Sequence, residues 1–210
     1  MKGKLITFEG VEGCGKTTQI QLCSEWLQGL DIPIVTTCEP GGTELGVHIR
    51  RLLLNGTQSK PITNTTELLL YAADRAQHVE QEIVPNLEVG KLVLCDRFTD
   101  STVAYQGYGR SLDMNLIDQL NSIATYGVEP DLTLWLDLDV KEGFARKSKN
   151  NHVADRIEKE KIDFHYRVQQ GYNYLASIYP QRIIKVDASL NPEEVHQKIQ
   201  EVISNSFKIK

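Results

Sequence analysis

The amino-acid sequence predicts an α/β domain in which helices cover both faces of a doubly wound, parallel sheet of about five strands. Five short runs are nearly continuous in apolar residues, which is typical of strands buried on both faces. The runs cover residues 5–8, 34–37, 92–95, 132–136 and 183–186. Longer stretches of helical periodicity separate them, and a glycine-rich segment joins the first run to the first helix. We interpret residues 1–210 as a single domain, since this length suits one core.

In the predicted helices, apolar side chains recur at steps of three and four residues and form one buried stripe. The clearest stripes are Ile20, Cys23, Leu27 and Leu30, then Leu116, Leu120 and Ile123, and finally Val195, Ile199 and Val202. Pro33 prevents the first of these helices from continuing. Asn191 followed by Pro192 is typical of a helix N-terminus, with asparagine as the N-cap and proline at the first helical position.

Composition narrows the classes of partner. The 23 Lys and Arg against 28 Asp and Glu give a net charge of −5, which disfavours a nucleic-acid polymer as partner but allows a small anion in a local cationic pocket. No apolar run approaches the roughly 18 residues of a membrane span, and the N-terminal run ends at Glu9, too early for a signal peptide. The four cysteines lack disulfide-framework or zinc spacing, so we expect a cytoplasmic protein.

Residues 10–17 read GVEGCGKT, the pattern GxxxxGKT, directly between the first predicted strand and the first predicted helix. Glycines let successive amides curl around phosphate oxygens, and the helix N-terminus adds partial positive charge. Lys16 is predicted to neutralise the β- and γ-phosphates of ATP, and the Thr17 hydroxyl to bind Mg²⁺. The predicted ATP-binding residues are Gly10, Val11, Glu12, Gly13, Cys14, Gly15, Lys16, Thr17 and Thr18.

A second acidic position follows the third predicted strand. Asp96 is the preferred magnesium-directing carboxylate because Arg97 comes next and places a cation beside it; Asp137, after the fourth strand, has the same pattern. A structural salt bridge between Asp96 and Arg97 is the alternative interpretation.

Phosphate binding leaves several classes of protein open. The chain lacks the NKxD-type element of guanine-binding switches, which favours a small kinase that holds two phosphorylated molecules together. Arginine forks suit that task because they bind phosphate at two points. The candidates are Arg50, Arg51, Arg75, Arg97, Arg146 and Arg156. Any one of them could equally be a surface charge, but Arg97 ends a buried strand.

Four motifs together resemble the thymidylate kinase family. They are FEGVEGCGKTT at 8–18, EPGGT at 39–43, DRF at 96–98 with Ser101 and AYQG at 104–107, and DRIE at 155–158. The resemblance runs from about residue 3 to the last helix. It implies the nucleoside monophosphate kinase version of the P-loop fold, the reaction of Mg²⁺-ATP with dTMP to give ADP and dTDP, and a homodimer. The 68–83 and 116–123 helices could supply an interface.

The resemblance also implies roles for single residues. Tyr71 would stack on thymine and Arg75 would reach a base oxygen, although a core aromatic is the competing interpretation of Tyr71. Arg50 and Arg97 would bind the dTMP phosphate, and Glu9 would contact the deoxyribose 3′ hydroxyl or a magnesium-bound water. Ser101, Thr102, Tyr105 and Gln106 would complete the nucleoside pocket, for which a structural corner is the alternative at Tyr105 and Gln106.

Family members without a basic residue in the phosphate loop supply arginines from a mobile lid, and Glu12 and Cys14 place this chain among them. The resemblance puts the lid at about 146–156, with Arg146 or Arg156 as the catalytic cation. The lid has Lys147 and Lys149 where guanidinium groups are usual, and Cys38 stands in place of the usual arginine before EPGGT.

Two alternatives to this function remain at this point, a kinase for another small acceptor and a P-loop regulator without phosphoryl transfer. Cys14 likewise has two interpretations: a reactive thiol whose pKa the helix N-terminus and Lys16 lower, or an inert small residue.

Overall fold

The computed structural model describes residues 3–56, 60–148 and 154–209 and contains a parallel five-stranded sheet in the order β2-β3-β1-β4-β5. The strands are β1 (Lys4–Glu9), β2 (Ile34–Cys38), β3 (Leu92–Asp96), β4 (Leu132–Asp137) and β5 (Ile183–Asp187). Each predicted strand is confirmed to within one residue at either end, because continuous apolar runs of this length are buried strands.

Helices connect the strands. They are α1 (Lys16–Gly29), α2 (Glu44–Asn55), α3 (Asn64–His78), α4 (Val84–Glu88), α5 (Thr99–Thr102), α6 (Met114–Thr125), α7 (Val140–Ser148), α8 (Ile162–Ile178) and α9 (Pro192–Phe207). Two π-helical segments, Val79–Ile83 and Val103–Gly109, continue α3 and α5 without a break. The predicted cap of the last helix is confirmed, since the Asn191 side chain accepts from the Glu194 amide in a capping box. None of the helices in the described ranges is long and apolar enough to cross a membrane.

Alternate residues of the central strands pack into two separate hydrophobic clusters. Ile6 and Leu94 belong to a cluster that also contains apolar residues of α1 and α9. Leu5 and Val93 belong to a second cluster, which includes residues of the first π-helical segment and α4. Both faces of the sheet are therefore covered, as the doubly wound prediction requires.

The strand order brings the loops that carry the motifs to one edge. Strand β1 lies at the centre, the chain leaves it for β2 and β3 on one side, and β4 and β5 lie on the other. In such sheets ligands bind beyond the carboxyl ends of the strands where the order reverses. Backbone hydrogen bonds join these ends: the Arg97 amide donates to Phe8 O at 3.0 Å and the Glu39 amide donates to Asp96 O at 2.9 Å.

The loop after β1 lies directly against α7. Gly13 has φ of 77°, and a Cβ at this position would lie 2.2 Å from the carbonyl oxygen of Gly143. A Cβ on Gly143 would meet Glu12 O at the same distance. The two glycines therefore permit an approach of two backbones that no other residue pair would allow.

We expect Gly13→Ala to lower the free energy of unfolding by about 1–3 kcal/mol, because it combines backbone strain with a clash against backbone atoms. Gly29→Ala is the matched control, since Gly29 ends α1 with open space around it; this change should stabilise by about 0.4–1 kcal/mol. Urea unfolding measures both values. Equal midpoints for Gly13→Ala and wild type would contradict the prediction.

Candidate functional site

A cavity of about 1020 Å³ opens at the carboxyl edge of the sheet. It gathers most of the predicted site residues: Glu12, Gly13, Cys14, Gly15, Lys16, Thr17, Thr18, Arg50, Tyr71, Arg75, Asp96, Arg97, Ser101, Thr102, Tyr105, Gln106 and Arg146. Glu9, Gly10, Val11 and Arg156 are not part of this lining. Residues 188–192, after β5, form a further wall. The motifs scattered along the chain thus meet around one space.

The phosphate loop has the backbone shape that an anion site needs. Gly10, Gly13 and Gly15 all have positive φ, of 142°, 77° and 96°. A Cβ on Gly15 would meet nothing within 4 Å, so this position requires glycine for its backbone conformation rather than for space. The Lys16 ammonium donates to Gly10 O at 3.1 Å and Val11 O at 3.4 Å, which holds its charge over the loop.

The carboxylate of Glu12 lies at the centre of the cationic groups. It forms ion pairs with Arg97 and Lys147. Burial alone would raise the pKa of Glu12, but the combined charges of Arg97, Lys16 and Lys147 hold that pKa well below its ordinary value. Glu12 therefore keeps its negative charge and neutralises cations gathered at the phosphate loop.

Arg97 is held in one orientation by several partners. Its backbone has φ of 69°, a left-handed conformation that is rare outside glycine. Its guanidinium donates to Ser101 Oγ at 3.1 Å, to Tyr105 Oη at 3.0 Å and to Tyr172 Oη at 3.3 Å. Within the described ranges its ion pair is with Glu12 and not with Asp96, so the simple salt-bridge interpretation of the DR pair is wrong.

Asp96 and Thr17 suit a magnesium ion. Asp96 Oδ1 is buried and has no hydrogen-bond partner among the described residues, although an unpaired carboxylate oxygen is costly to bury. The Thr17 side chain is exposed and lines the same cavity. Mg²⁺ prefers such hard oxygen ligands and is usually bound by one or two of them together with substrate phosphates. Within the described residues, no group of three or more His, Cys, Asp and Glu side chains is arranged to hold a metal ion by itself. Phosphate and water oxygens would therefore supply the remaining ligands.

Glu9 lies beneath the cavity and its carboxylate is already bonded. Oε1 accepts from the Phe98 amide at 2.8 Å, and Oε2 accepts from Ser101 Oγ at 2.6 Å and Tyr172 Oη at 2.7 Å. Burial, and next the charge of Asp100, raises the pKa of Glu9 to about 7. Glu9 does not line the cavity itself. It is connected to the cavity through its hydrogen bond with Ser101, which does line it.

Tyr172 is a site residue that sequence reasoning missed. It lies in α8, is 1% exposed and stacks on Trp135 at a centroid distance of 6.1 Å. Its hydroxyl joins Glu9 to Arg97, residues from two different strand ends. In the sequence, Tyr172 is one more aromatic residue on the apolar side of a predicted helix. Its hydroxyl group belongs to no recognisable motif, so nothing local indicates a role in the site.

The other end of the cavity contains Tyr71 and Arg75, one helical turn apart on α3. Tyr71 is half-buried, and Arg75 is 2% exposed with Nε donating to Glu39 Oε2 at 2.8 Å. His78 Nδ1 lies 2.9 Å from the other oxygen of Glu39. The structure thus places Tyr71 at the cavity wall rather than inside the core. In the sequence, Glu39 stands out only as the first residue of the EPGGT motif. In the structure its bonds to Arg75 and His78 attach the loop after β2 to α3.

The predicted lid is described at its two ends, while residues 149–153 lie outside the described ranges. Arg146 donates to Ala188 O at 2.9 Å. Arg156 donates to Glu67 Oε2 at 2.6 Å and to Leu53 O at 2.7 Å, away from the phosphate loop. Lys147 instead reaches Glu12 at 3.3 Å and also contacts Glu158. Among the described residues of the lid, Lys147 is therefore the cation bonded to the phosphate loop.

The two cysteines of the cavity both have a raised thiol pKa. Of the two interpretations of Cys14, the reactive thiol with a lowered pKa is wrong: burial raises the pKa of this thiol by more than Lys16 and Arg97 lower it. Burial also raises the pKa of Cys38, which is half-buried beside Arg50. The inert interpretation of Cys14 agrees with this geometry.

Comparisons with known proteins agree with these features. A family model described as thymidylate kinase matches residues 8–199. A protein named thymidylate kinase from Nostoc punctiforme is 64% identical over 203 residues, which cover 97% of this chain and 96% of that protein. Another from Gloeobacter violaceus is 53% identical over 199 residues, covering 94% and 93%. The crystal structure of thymidylate kinase from Ehrlichia chaffeensis superposes with a TM-score of 0.79 at 35% identity, covering 97% of this chain and all of that one.

We expect Cys14 to react slowly with iodoacetamide at neutral pH, more slowly than the same cysteine in the urea-unfolded protein, because the thiolate is the reactive form and burial disfavours it. Mass spectrometry of tryptic peptides measures the labelling of each cysteine. Cys38, which is less buried, serves as the internal comparison. Rapid and selective labelling of Cys14 in the folded protein would contradict the prediction.

Proposed function

Because the chain belongs to the thymidylate kinase family, we propose that this enzyme transfers the γ-phosphoryl group of ATP to dTMP and releases ADP and dTDP. One observation carries the proposal beyond family membership. Arg97, from the end of β3, and Lys16, from the phosphate loop, line one cavity. Arg97 forms an ion pair with Glu12, and the charges of Arg97 and Lys16 both lower the pKa of that carboxyl group. Cations for an acceptor phosphate and for a donor phosphate are therefore adjacent, as in-line transfer requires.

The donor half consists of the phosphate loop and the residues that suit a metal. Backbone amides between Gly10 and Thr18 would bind the phosphates of ATP, with Lys16 on the β- and γ-phosphates. Thr17 and Asp96 would hold Mg²⁺, which when bound neutralises developing charge on the phosphate oxygens. Glu9 acts here as an orienting group for Ser101, through the hydrogen bond described above.

The acceptor half lies between α3 and the second π-helical segment. Arg50 and Arg97 would bind the phosphate of dTMP, and Tyr71 would stack on its base beside Arg75. The remaining walls of this pocket come from Ser101, Thr102, Tyr105 and Gln106. Gln106 Nε2 donates to Glu67 at 2.8 Å, so this wall is fixed before the nucleotide arrives.

The lid would close over the two phosphates and exclude water. We assign Arg146 and Arg156 to it, as the family resemblance implies, and add Lys147 on the basis of its contact with Glu12. Arg156 would have to leave Glu67 before its guanidinium could reach the transferred group. Lys147 already contacts the phosphate loop through Glu12, so it would exchange that carboxylate oxygen for a phosphate oxygen without leaving the loop.

We also propose that the enzyme is a cytoplasmic homodimer. Helices α3 and α6 pack against each other and expose apolar side chains, with Leu69 51% and Ile123 69% exposed. The prediction of a buried stripe on α6 is therefore wrong for Ile123 and for Leu116, which is 40% exposed. Such a paired-helix face is of the kind that a second copy covers. All four cysteines are free thiols, as expected in a reducing compartment.

The function is tested by ADP release with Mg²⁺-ATP and a panel of dTMP, dUMP, dCMP and GMP. We expect dTMP to give the highest kcat/KM, and Arg50→Ala to raise the KM for dTMP about tenfold through loss of a charge-assisted bond. Arg51→Ala is the matched control, since Arg51 is exposed and outside the cavity lining. A rate of ADP release that none of the four acceptors increases would indicate a nucleotide-binding regulator. A higher kcat/KM for another acceptor would indicate a different kinase.

The lid assignment is tested by single-turnover phosphoryl transfer in three alanine variants. We expect Lys147→Ala to slow transfer by about 10²–10³, the usual cost of removing one transition-state donor, and Arg156→Ala to slow it less. Lys141→Ala, at an exposed position of the same helix, should leave the rate unchanged. The largest loss in Arg156→Ala would mean that its guanidinium exchanges Glu67 for the transferred group.

A further inference from the structure

The guanidinium of Arg75 is almost completely surrounded by protein while still facing the nucleotide cavity. Its side chain is 2% exposed and lies over the Phe98 ring at 5.3 Å. A buried cation of this kind is stable only if its donors are paired. The pattern of pairing therefore determines what Arg75 can offer to a ligand.

Four of the five N–H groups of Arg75 are already used within the described residues. Nε donates to Glu39 Oε2 at 2.8 Å. Nη1 donates to Thr102 Oγ1 at 2.8 Å and to Asn121 Oδ1 at 2.6 Å, and Nη2 donates to Phe98 O at 2.9 Å. A guanidinium carries five such donors in a rigid plane, so one N–H on Nη2 remains for a ligand.

The two bonds from Nη1 fix the plane of this group. Thr102 belongs to α5 and Asn121 to α6, so the guanidinium is held between two separate elements. Asn121 supplies the shortest of the four contacts, and it is the only one that comes from α6 within the described chain. Without Asn121, Nη1 would keep only its bond to Thr102 and one of its N–H groups would be unpaired. The guanidinium plane could then tilt to find a new partner, which displaces the free N–H of Nη2.

We infer that Asn121 is a specificity-positioning residue: it holds Arg75 so that a single fixed N–H meets a carbonyl oxygen of the acceptor base and rejects an amino group. The contact of Arg75 with the base belongs to the proposed function, on which this inference rests, and the role of Asn121 is what the inference adds. A base with a carbonyl group at this ring position accepts the hydrogen bond from Arg75. A base with an amino group there presents a second donor instead, so neither N–H finds an acceptor. Thymine and uracil belong to the first class and cytosine to the second.

Glu39 is a less suitable probe of the same geometry. Its carboxylate also contacts His78 at 2.9 Å and neutralises the buried charge of Arg75, so its removal threatens folding. Asn121 is neutral and half-buried, and an alanine there leaves room for water beside Nη1. Asn121→Asp keeps an acceptor oxygen in place and serves as the conservative variant.

The experiment measures kcat and KM for dTMP, dUMP and dCMP in the full-length enzyme with Mg²⁺-ATP. In Asn121→Ala we expect the KM for dTMP and dUMP to rise about tenfold, the value of one hydrogen bond, with kcat within about threefold because the phosphate contacts are unaffected. The preference for dTMP over dCMP should fall by a similar factor, and Asn121→Asp should restore it. Asn173→Ala, an exposed asparagine of α8, is the control and should match wild type.

An unchanged ratio of dTMP to dCMP in Asn121→Ala would overturn the inference. An equal loss of kcat for all three nucleotides would also overturn it, because it would indicate a structural role, and matching thermal denaturation curves exclude misfolding as the cause. If the wild-type enzyme phosphorylates none of the three, the proposed function fails and the inference fails with it. If the wild-type enzyme prefers dTMP and Asn121→Ala keeps the same preference, the proposed function stands and only the role of Asn121 is refuted.

Discussion

The ion pairs of Glu12 are the interaction on which the site depends. A cavity that accepts two phosphorylated molecules must hold several cations close together before either ligand arrives, and those cations repel one another. Glu12 forms ion pairs with Arg97 and Lys147, and the charge of Lys16 also lowers its pKa. Its carboxylate balances them in a partly buried setting, where unpaired charge is costly. Phosphate oxygens are chemically similar acceptors, so ligand binding exchanges partners rather than creating a new charge distribution.

The sheet provides the rigidity that this balance requires. Arg97 follows β3, Glu12 follows β1, and their strands are adjacent in the parallel order. The strained backbone of Arg97 is held by its amide bond to Phe8 and by side-chain bonds to two tyrosines and a serine. Strain of this kind persists only where the surroundings over-determine the conformation. The hydrogen bonds of Tyr172 extend the same support to Glu9.

Local signals predicted much of the fold, and long-range contacts account for what was missed. Strand positions followed from apolar runs, and the phosphate loop followed from its glycines and flanks, because both depend on residues near in sequence. The π-helical continuation of α3 and α5 has no such signal. Tyr172 takes part in the site through its hydrogen bond to Glu9, which lies 163 positions earlier in the chain. The two interpretations of Cys14 stayed open for the same reason: the sequence shows the neighbouring Lys16 but not the burial that outweighs its effect on the thiol pKa.

The close approach of Gly13 to Gly143 has a mechanical consequence. Since the backbones touch without intervening side chains, the beginning of α7 and the phosphate loop form a single stiff unit. Arg146 and Lys147 follow Gly143 in the same helix, so their backbone is tied to the phosphate loop through this contact. The distance over which the two cations can act is therefore limited to the length of their own side chains, measured from a backbone that the phosphate loop itself holds in place.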